Sequence, residues 1–165
     1  MPESECVYVG IDPGFTGAIA MLGGGNPPDV EDLRVIGEKT TKRLDAVWLY
    51  HVLKRIRCEH RARGDQAVAV IERAQTMPGQ GIASASRYVS TYAVAIAMCE
   101  VNQIPTRTVS PGVWKVGMGL RGLGKESSRE LALRLFPSCR TQLSRKKDHN
   151  RAEALLLAEW ARREG

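Results

Sequence analysis

The order of apolar and polar residues predicts three strands at the start of the chain. Residues 7–12 are mainly β-branched or apolar, and a second apolar run, residues 18–22, follows a Pro-Gly turn. Two such runs around a turn predict a β-hairpin. Residues 23–29 are expected to form a loop, and residues 30–36 a third, edge-like strand.

Helical and strand patterns then alternate. Apolar residues recur at helical spacing from residue 44 to residue 63, which predicts an amphipathic helix. Residues 66–72 (QAVAVIE) form a short apolar run that ends at a carboxylate, as in a central strand buried on both faces. Residues 82–101 predict a long helix, whose many alanines and serines would allow close packing against the sheet or against a second subunit.

The remaining residues complete an α/β pattern. Residues 104–110 predict the last strand, residues 111–125 a short helix with a glycine-rich loop, and residues 125–136 a helix. A final helix is expected from residue 148 to residue 163. This order predicts a mixed central sheet of about five strands flanked by α-helices.

Composition narrows the class of protein. With 165 residues the chain is expected to form one domain, and its formal net charge of +6 suggests a polyanionic partner such as nucleic acid. No apolar run approaches the roughly 18 residues that a membrane span requires. The cysteines are scattered, which favours reduced thiols and a cytoplasmic location: Cys6, Cys58, Cys99 and Cys139.

Two carboxylates stand at the ends of predicted strands. Asp12 and Glu72 each terminate an apolar run, so they project from one edge if their strands are neighbours. Like charges that lie close together repel, and such a pair is tolerated when a divalent cation or a shared proton neutralises it.

The last helix supplies further candidate ligands. Asp148 lies in its first turn, and His149 and Glu153 are four residues apart, so these two share a face. Asp148 and Glu153, together with the two strand-end carboxylates, make four acidic groups. Oxygen ligands of this kind suit Mg²⁺ or Mn²⁺, and two ions about 4 Å apart can activate a water and stabilise the leaving oxygen of a phosphodiester. The chemistry that this predicts is phosphodiester hydrolysis.

Each acid also has a structural interpretation. Asp12 before Pro-Gly is a favoured turn residue, Glu72 could pair with an arginine, and Asp148 could cap its helix. Two charges placed beside a buried core nevertheless need an explanation, which favours the functional interpretation.

Four segments resemble the RuvC-type Holliday junction resolvases, especially the phage and organelle branch of that family. They occur in family order over nearly the whole chain: GIDPGFTGAIA, VIERAQTMPGQGIASASRY, SPGVWKVGMGLRGLGKESSRELALRLFP and KKDHNRAEALLLAEWAR. The resemblance implies a ribonuclease H-like fold, a homodimer, and symmetric Mg²⁺-dependent nicking of four-way DNA junctions. It also implies that Asp12 and Glu72 bind metal and that Lys115 and Lys125 lie near the DNA backbone, although both lysines could also be ordinary surface residues.

The chain departs from the family pattern at two places. The family commonly ends with two acids three residues apart, but here Asn150 precedes Glu153 at that distance. Asp148, His149 or Asn150 must take that position; we expect Asp148, with His149 as a possible ligand or proton acceptor. The bacterial branch carries an aromatic residue after its second acid, where this chain has Gln75 and, beyond it, Met77 as a weak substitute for contact with a DNA base.

Basic residues precede the last helix and would offset repulsion between DNA and the carboxylates: Arg140, Arg145, Lys146 and Lys147. A solvated charged loop is the alternative. Selection of a junction would follow from a two-fold dimer that presents two sites at a fixed separation.

Other functions remain open on the sequence alone. A less selective branched-DNA metal nuclease and a junction-binding protein without catalysis both fit the basic charge. The DPGFTG segment also resembles the phosphate-binding hairpin of the actin and sugar-kinase ATPases, but those proteins need two lobes, and 165 residues supply one.

Overall fold

The architecture is a five-stranded mixed sheet with helices on both faces, which confirms the predicted fold class. The computed structural model describes residues 6–75, 79 and 81–164. Among them the strands are β1 (Cys6–Asp12), β2 (Ala18–Gly23), β3 (Asn26–Asp32), β4 (Val35–Ile36), β5 (Arg43–Leu44), β6 (Gln66–Glu72) and β7 (Thr106–Val109). The α-helices are α1 (Ala46–Arg63), α2 (Ile82–Val101), α3 (Pro111–Gly117), α4 (Lys125–Leu135) and α5 (His149–Glu164).

The main sheet has the order β3-β2-β1-β6-β7. Strands β1, β2 and β3 are antiparallel neighbours, whereas β6 is parallel to both β1 and β7. The carboxyl ends of β1, β6 and β7 therefore meet at one edge of the sheet. Such an edge is where α/β proteins commonly bind ligands.

The third strand differs from its prediction. It runs over Asn26–Asp32, and the expected loop is shortened to a turn at Gly24 and Gly25. Pro27 and Pro28 fall inside the strand, which is possible because β3 is an edge strand and proline need not donate to a neighbour there. Val35–Ile36 instead pairs with Arg43–Leu44 in a separate two-stranded ladder.

Two hydrophobic clusters cover the two faces of the main sheet. One joins Ile11 and Ile71 to buried residues of α1 and α2, including Leu53 and Ala95. The other joins Ala20 and Val70 to residues of α3, α4 and the apolar face of α5. Among the described residues, no helix is both long and apolar enough to span a bilayer.

Candidate active site

Strand register brings two of the predicted acids together. Ile11 of β1 pairs with Ile71 of β6, so Asp12 and Glu72 are the next residues on neighbouring parallel strands. Both isoleucines pack in the cluster beneath α1 and α2. Because successive side chains alternate between faces of a strand, the two carboxylates lie on the opposite face, where α5 packs.

A glycine allows α5 to carry the third acid to this edge. An added Cβ at Gly10 would lie 2.1 Å from the carbonyl oxygen of Ala154 and 2.7 Å from the amide nitrogen of Ala158. The helix backbone therefore lies directly on β1, which no larger residue at position 10 would allow. Glu153, one residue before Ala154, reaches the strand end in this way.

The tip of the β1–β2 hairpin is tied to the start of α5. The Asn150 side chain donates hydrogen bonds to the carbonyl oxygen of Thr16, at 2.5 Å, and to its hydroxyl, at 3.0 Å. Gly17 closes the turn, since its amide donates to the carbonyl of Gly14 at 3.1 Å. Asn150 thus fixes the hairpin relative to the helix.

The carboxylates of Asp12, Glu72 and Glu153 line one cavity of about 400 Å³, which we call the acidic cavity. Asp12, Glu72 and Glu153 are all buried, with 6%, 6% and 8% of their surface exposed. The basic residues Lys115 and Lys125 line the same cavity. His149 and Asn150 from the first turn of α5 also line it.

Burial and mutual repulsion act on the two strand-end acids. Burial raises the pKa of Asp12 well above its usual value, and the charges of Glu72 and Glu153 raise it further. Lys115 and Lys125 partly oppose this effect. Burial also raises the pKa of Glu72, against the opposing influence of a hydrogen bond from Trp114. The cavity is therefore a place where added positive charge would be stabilised.

Two aromatic donors hold the Glu72 carboxylate. The Tyr88 hydroxyl donates to Oε1 at 3.0 Å, and the Trp114 indole Nε1–H donates to Oε2 at 2.6 Å. Trp114 is fully buried in the core on the α5 side of the sheet. Burial, followed by the charge of Glu72, raises the pKa of Tyr88, so this phenol stays a donor at neutral pH.

Glu153 is held by a different pair. The Lys115 ammonium donates to its Oε1 at 2.9 Å, and the buried Ser128 hydroxyl lies 3.2 Å from the same oxygen. The charge of Lys115 is thus partly used in holding an acid of the cavity.

The chemistry of these donors fits a hard divalent cation, because Mg²⁺ and Mn²⁺ prefer carboxylate oxygens. Their present arrangement is not a formed metal site: within the described part of the chain, no group of three or more His, Cys, Asp or Glu side chains is placed to hold a metal ion. The ammonium of Lys115 already neutralises Glu153. A cation bound by all three acids would compete with Lys115 for the charge of Glu153.

Asp148 is the predicted acid that the structure does not bring to this cavity. It lies in a 3-10 turn, Lys146–Asp148, and its carboxylate accepts hydrogen bonds from the Arg145 amide at 2.8 Å and the Arg145 guanidinium at 2.7 Å. Although burial alone would raise the pKa of Asp148, these bonds hold it below its usual value. The expectation that Asp148 stands beside Glu153 is corrected: His149 and Asn150 line the cavity there.

The predicted DNA-contacting residues fall into two groups. Lys115 and Lys125 line the acidic cavity. Lys125, Arg145 and Lys147 line a neighbouring cavity of about 490 Å³, and Lys146 is exposed beside it. Arg145 is also the ion-pair partner of Asp148. Met77 lies outside the described residues.

Sequence reasoning missed the residues that hold the acids. Tyr88 lies sixteen positions after Glu72 on another element, and Ser128 lies in α4; each falls inside a family-like segment, but neither was singled out there. Neither spacing nor residue type indicates such contacts. Trp114 could have been suspected from the sequence, because it is an aromatic residue directly before the candidate Lys115.

Comparisons with known proteins agree with this architecture. No family model matches the chain. A stretch of 49 residues, 29% of this chain, is 51% identical to "Holliday junction resolvase MOC1, chloroplastic" of Chlamydomonas reinhardtii, and it spans only 6% of that protein's length.

Solved structures match the chain over nearly its full length. T. thermophilus RuvC in complex with a Holliday junction substrate is similar with a TM-score of 0.52 and 18% sequence identity, over 97% of this chain and 96% of that one. Another Thermus thermophilus RuvC structure gives a TM-score of 0.50 and 16% identity, over 96% of each chain. The fold is therefore that of RuvC, which confirms the ribonuclease H-like expectation.

Proposed function

We propose that this RuvC-like chain is a structure-selective DNA endonuclease that resolves four-way junctions by paired symmetric nicks. The observation that carries the proposal is the meeting of Asp12, Glu72 and Glu153 in one cavity that Lys115 and Lys125 also line. Three buried acids beside two lysines suit a phosphodiester that enters with a cation. Residues 1–165 act as one nuclease domain in this proposal.

The cofactor of the proposed reaction is Mg²⁺, which Mn²⁺ can replace, with two ions at each site. Asp12, Glu72 and Glu153 would bind the metal, and His149 is the further candidate at the place where Asp148 was expected. When bound, divalent ions supply an activated water and stabilise the leaving oxygen.

The chain's own residues position the reacting groups. Tyr88 and Trp114 fix both oxygens of the Glu72 carboxylate. Lys115 neutralises Glu153 in the free protein, and in the proposed complex its ammonium would also attract the phosphate. Lys125 lines both cavities and binds the backbone of the strand that is cut. His149 is within the cavity lining and can accept a proton there.

Arg145, Lys146 and Lys147 extend the DNA-binding surface beyond the acidic cavity. They lie on or beside the neighbouring cavity, so a duplex arm leaving the site would meet positive charge. Arg145 contributes less than its charge suggests, because it also pairs with Asp148.

The proposal includes a homodimer, whose interface is the exposed apolar face of α2. Ile82 and Val89 expose 90% and 45% of their surface. A small cavity of about 220 Å³ beside this helix is lined by Ile36, Val47 and Val94. An exposed apolar surface of this kind is typical of an interaction site. Four free thiols agree with a reducing compartment such as a bacterial or phage-infected cytoplasm.

A substrate panel tests the function. Purified protein with Mg²⁺ is offered a four-way junction, a flap, a three-way branch and a linear duplex of the same sequence. The proposal predicts that the junction is cut fastest, with nicks at matching positions in opposite strands. Equal rates on all substrates would indicate a less selective branched-DNA nuclease, and binding without any cutting would indicate a junction-binding protein without catalysis.

A further inference from the structure

One aromatic side chain stands at the rim of the acidic cavity and belongs to neither hydrophobic core. Phe15 lies at the tip of the β1–β2 hairpin and is half-buried. It lines both the acidic cavity and the neighbouring cavity, so it lies on the boundary between them. Neither cluster of buried residues includes Phe15. Its ring is therefore available to whatever enters either cavity.

Two cations lie over the ring of Phe15. The Lys42 ammonium is 5.8 Å from the ring centroid, and the Cζ of Arg87 is also 5.8 Å from it. Lys42 comes from the segment before β5, and Arg87 comes from α2, where it lines the acidic cavity. Within the described residues neither cation forms an ion pair with a carboxylate. Both are therefore free to bind an anion.

The hairpin holds this ring at a fixed place relative to the acids. Phe15 is three residues after Asp12, and the neighbouring Thr16 is hydrogen-bonded to Asn150 at the start of α5. A nucleotide whose phosphate lies at Asp12 would carry its base within reach of such a ring.

We propose that Phe15 is a stacking platform for an unpaired nucleobase next to the phosphate that is cut, with Lys42 and Arg87 binding the flanking phosphates. The inference rests on the proposed function, since it takes the acidic cavity as the place of the scissile phosphate. Phosphates draw the two cations off the ring, and the base then takes their place on its face. Stacking on an aromatic ring accepts any base, and only an unpaired base has a free face to offer. Phe15 would thus favour branch points over intact duplex.

The variants separate stacking from simple packing. Phe15→Leu keeps an apolar side chain without an aromatic face, whereas Phe15→Tyr keeps the face. Tyr50→Leu is the matched control, because Tyr50 also has a lysine over its ring, Lys54 at 5.6 Å, but lies on α1 away from both cavities.

The experiment uses a junction with 2-aminopurine beside the exchange point, titrated with protein in Ca²⁺. A rise in 2-aminopurine fluorescence reports a base that has left its own stack. We expect this rise with the unaltered protein, Phe15→Tyr and Tyr50→Leu, and its loss with Phe15→Leu. The affinity for the junction should fall about 10-fold in Phe15→Leu, within the range for loss of one base–aromatic stack. The affinity for linear duplex should fall less.

The outcomes separate this inference from the proposed function. Fluorescence and affinity that are unchanged in Phe15→Leu would overturn the stacking role, even if the protein cuts junctions in Mg²⁺. Failure of Phe15→Tyr to restore the signal would overturn it as well, because a packing role would then explain the loss. Absence of cutting by the unaltered protein would overturn the proposed function, while the fluorescence in Ca²⁺ would still decide the role of Phe15. Absence of any junction binding would overturn both.

Discussion

The position of Asp12 destabilises the charged form of its carboxylate. Its carboxylate is buried and faces the charges of Glu72 and Glu153, and both effects raise its pKa well above the usual value. A carboxyl group whose pKa is higher in the folded state than in the unfolded state binds its proton more tightly when folded. Its contribution to stability therefore falls as the pH rises above the unfolded value of about 4.

We predict that Asp12→Asn stabilises the protein in the absence of metal. The free energy of unfolding should rise at pH 7, because the amide carries no charge for burial and the neighbouring acids to destabilise. The gain should shrink toward pH 4, where the unaltered residue is protonated. Urea unfolding in EDTA between pH 4 and pH 8 measures it.

Asp29→Asn is the control for this prediction, because Asp29 is an exposed carboxylate on edge strand β3. It should change stability little over the same pH range. A protein that loses stability at pH 7 on Asp12→Asn would contradict the account of the cavity as a site of unfavourable negative charge.

Tyr88 holds Glu72 without touching the sheet core. We predict that Tyr88→Phe lowers the cleavage rate and raises the Mg²⁺ concentration needed for half-maximal rate, each by roughly 10-fold, because loss of a group that orients a metal ligand typically costs about 10–100-fold. Thermal unfolding should change little, since the ring remains. A Mg²⁺ titration of the cleavage rate measures the effect.

Tyr92→Phe provides the matched control one turn further along α2, where the phenol makes no hydrogen bond to a described residue. It should behave as the unaltered protein does. Equal effects of the two substitutions, or none in either, would remove Tyr88 from the site.

At the scale of elements, the sequence was most informative where periodicity and burial agree. The apolar run of residues 66–72 correctly predicted a central strand, because both faces of β6 are covered. The helix predicted at residues 82–101 has the same bounds in the structure. The third strand was misplaced because two prolines and a glycine run indicate a loop, whereas an edge strand tolerates proline. The position of Asp148 was also missed, since its bond with Arg145 depends on a 3-10 turn that residue spacing does not reveal.

The contact between α5 and β1 can be tested by a substitution at Gly10. Gly10→Ala places a Cβ 2.1 Å from the Ala154 carbonyl oxygen, so α5 must move away from the strand. We predict a loss of about 1–3 kcal/mol in the free energy of unfolding, the usual cost of overpacking a core. The cleavage rate should fall as well, even at temperatures where the variant is folded, because Glu153 moves with the helix.

Gly112→Ala is the matched control, since an added Cβ there meets nothing within 4 Å and Gly112 lies in α3, the helix that also carries Lys115. It should keep both stability and activity. If Gly10→Ala were as stable and active as this control, the close packing of α5 on β1 would not be what positions Glu153.

At the scale of the whole molecule, the proposed dimer would determine junction selectivity, because it would hold two sites at a fixed separation. The proposed interface on α2 predicts a species of about twice the 18.1 kDa chain mass in sedimentation at micromolar concentration. Val89→Glu should shift it toward the monomer, because a charge would be buried at the interface. Val113→Glu, at a somewhat more exposed position on α3, should remain dimeric. A monomer at these concentrations would contradict the two-fold arrangement of sites.

In the proposed function, the carboxylates gathered at one edge of the sheet cut DNA junctions with Mg²⁺. The most direct measurement follows strand cutting of an end-labelled four-way junction by the unaltered protein, Asp12→Asn and Glu72→Gln, with junction binding measured in parallel. We expect paired nicks in opposite strands by the unaltered protein. Both variants should bind the junction with little change and leave it uncut. Undiminished cutting by either variant would contradict the claim.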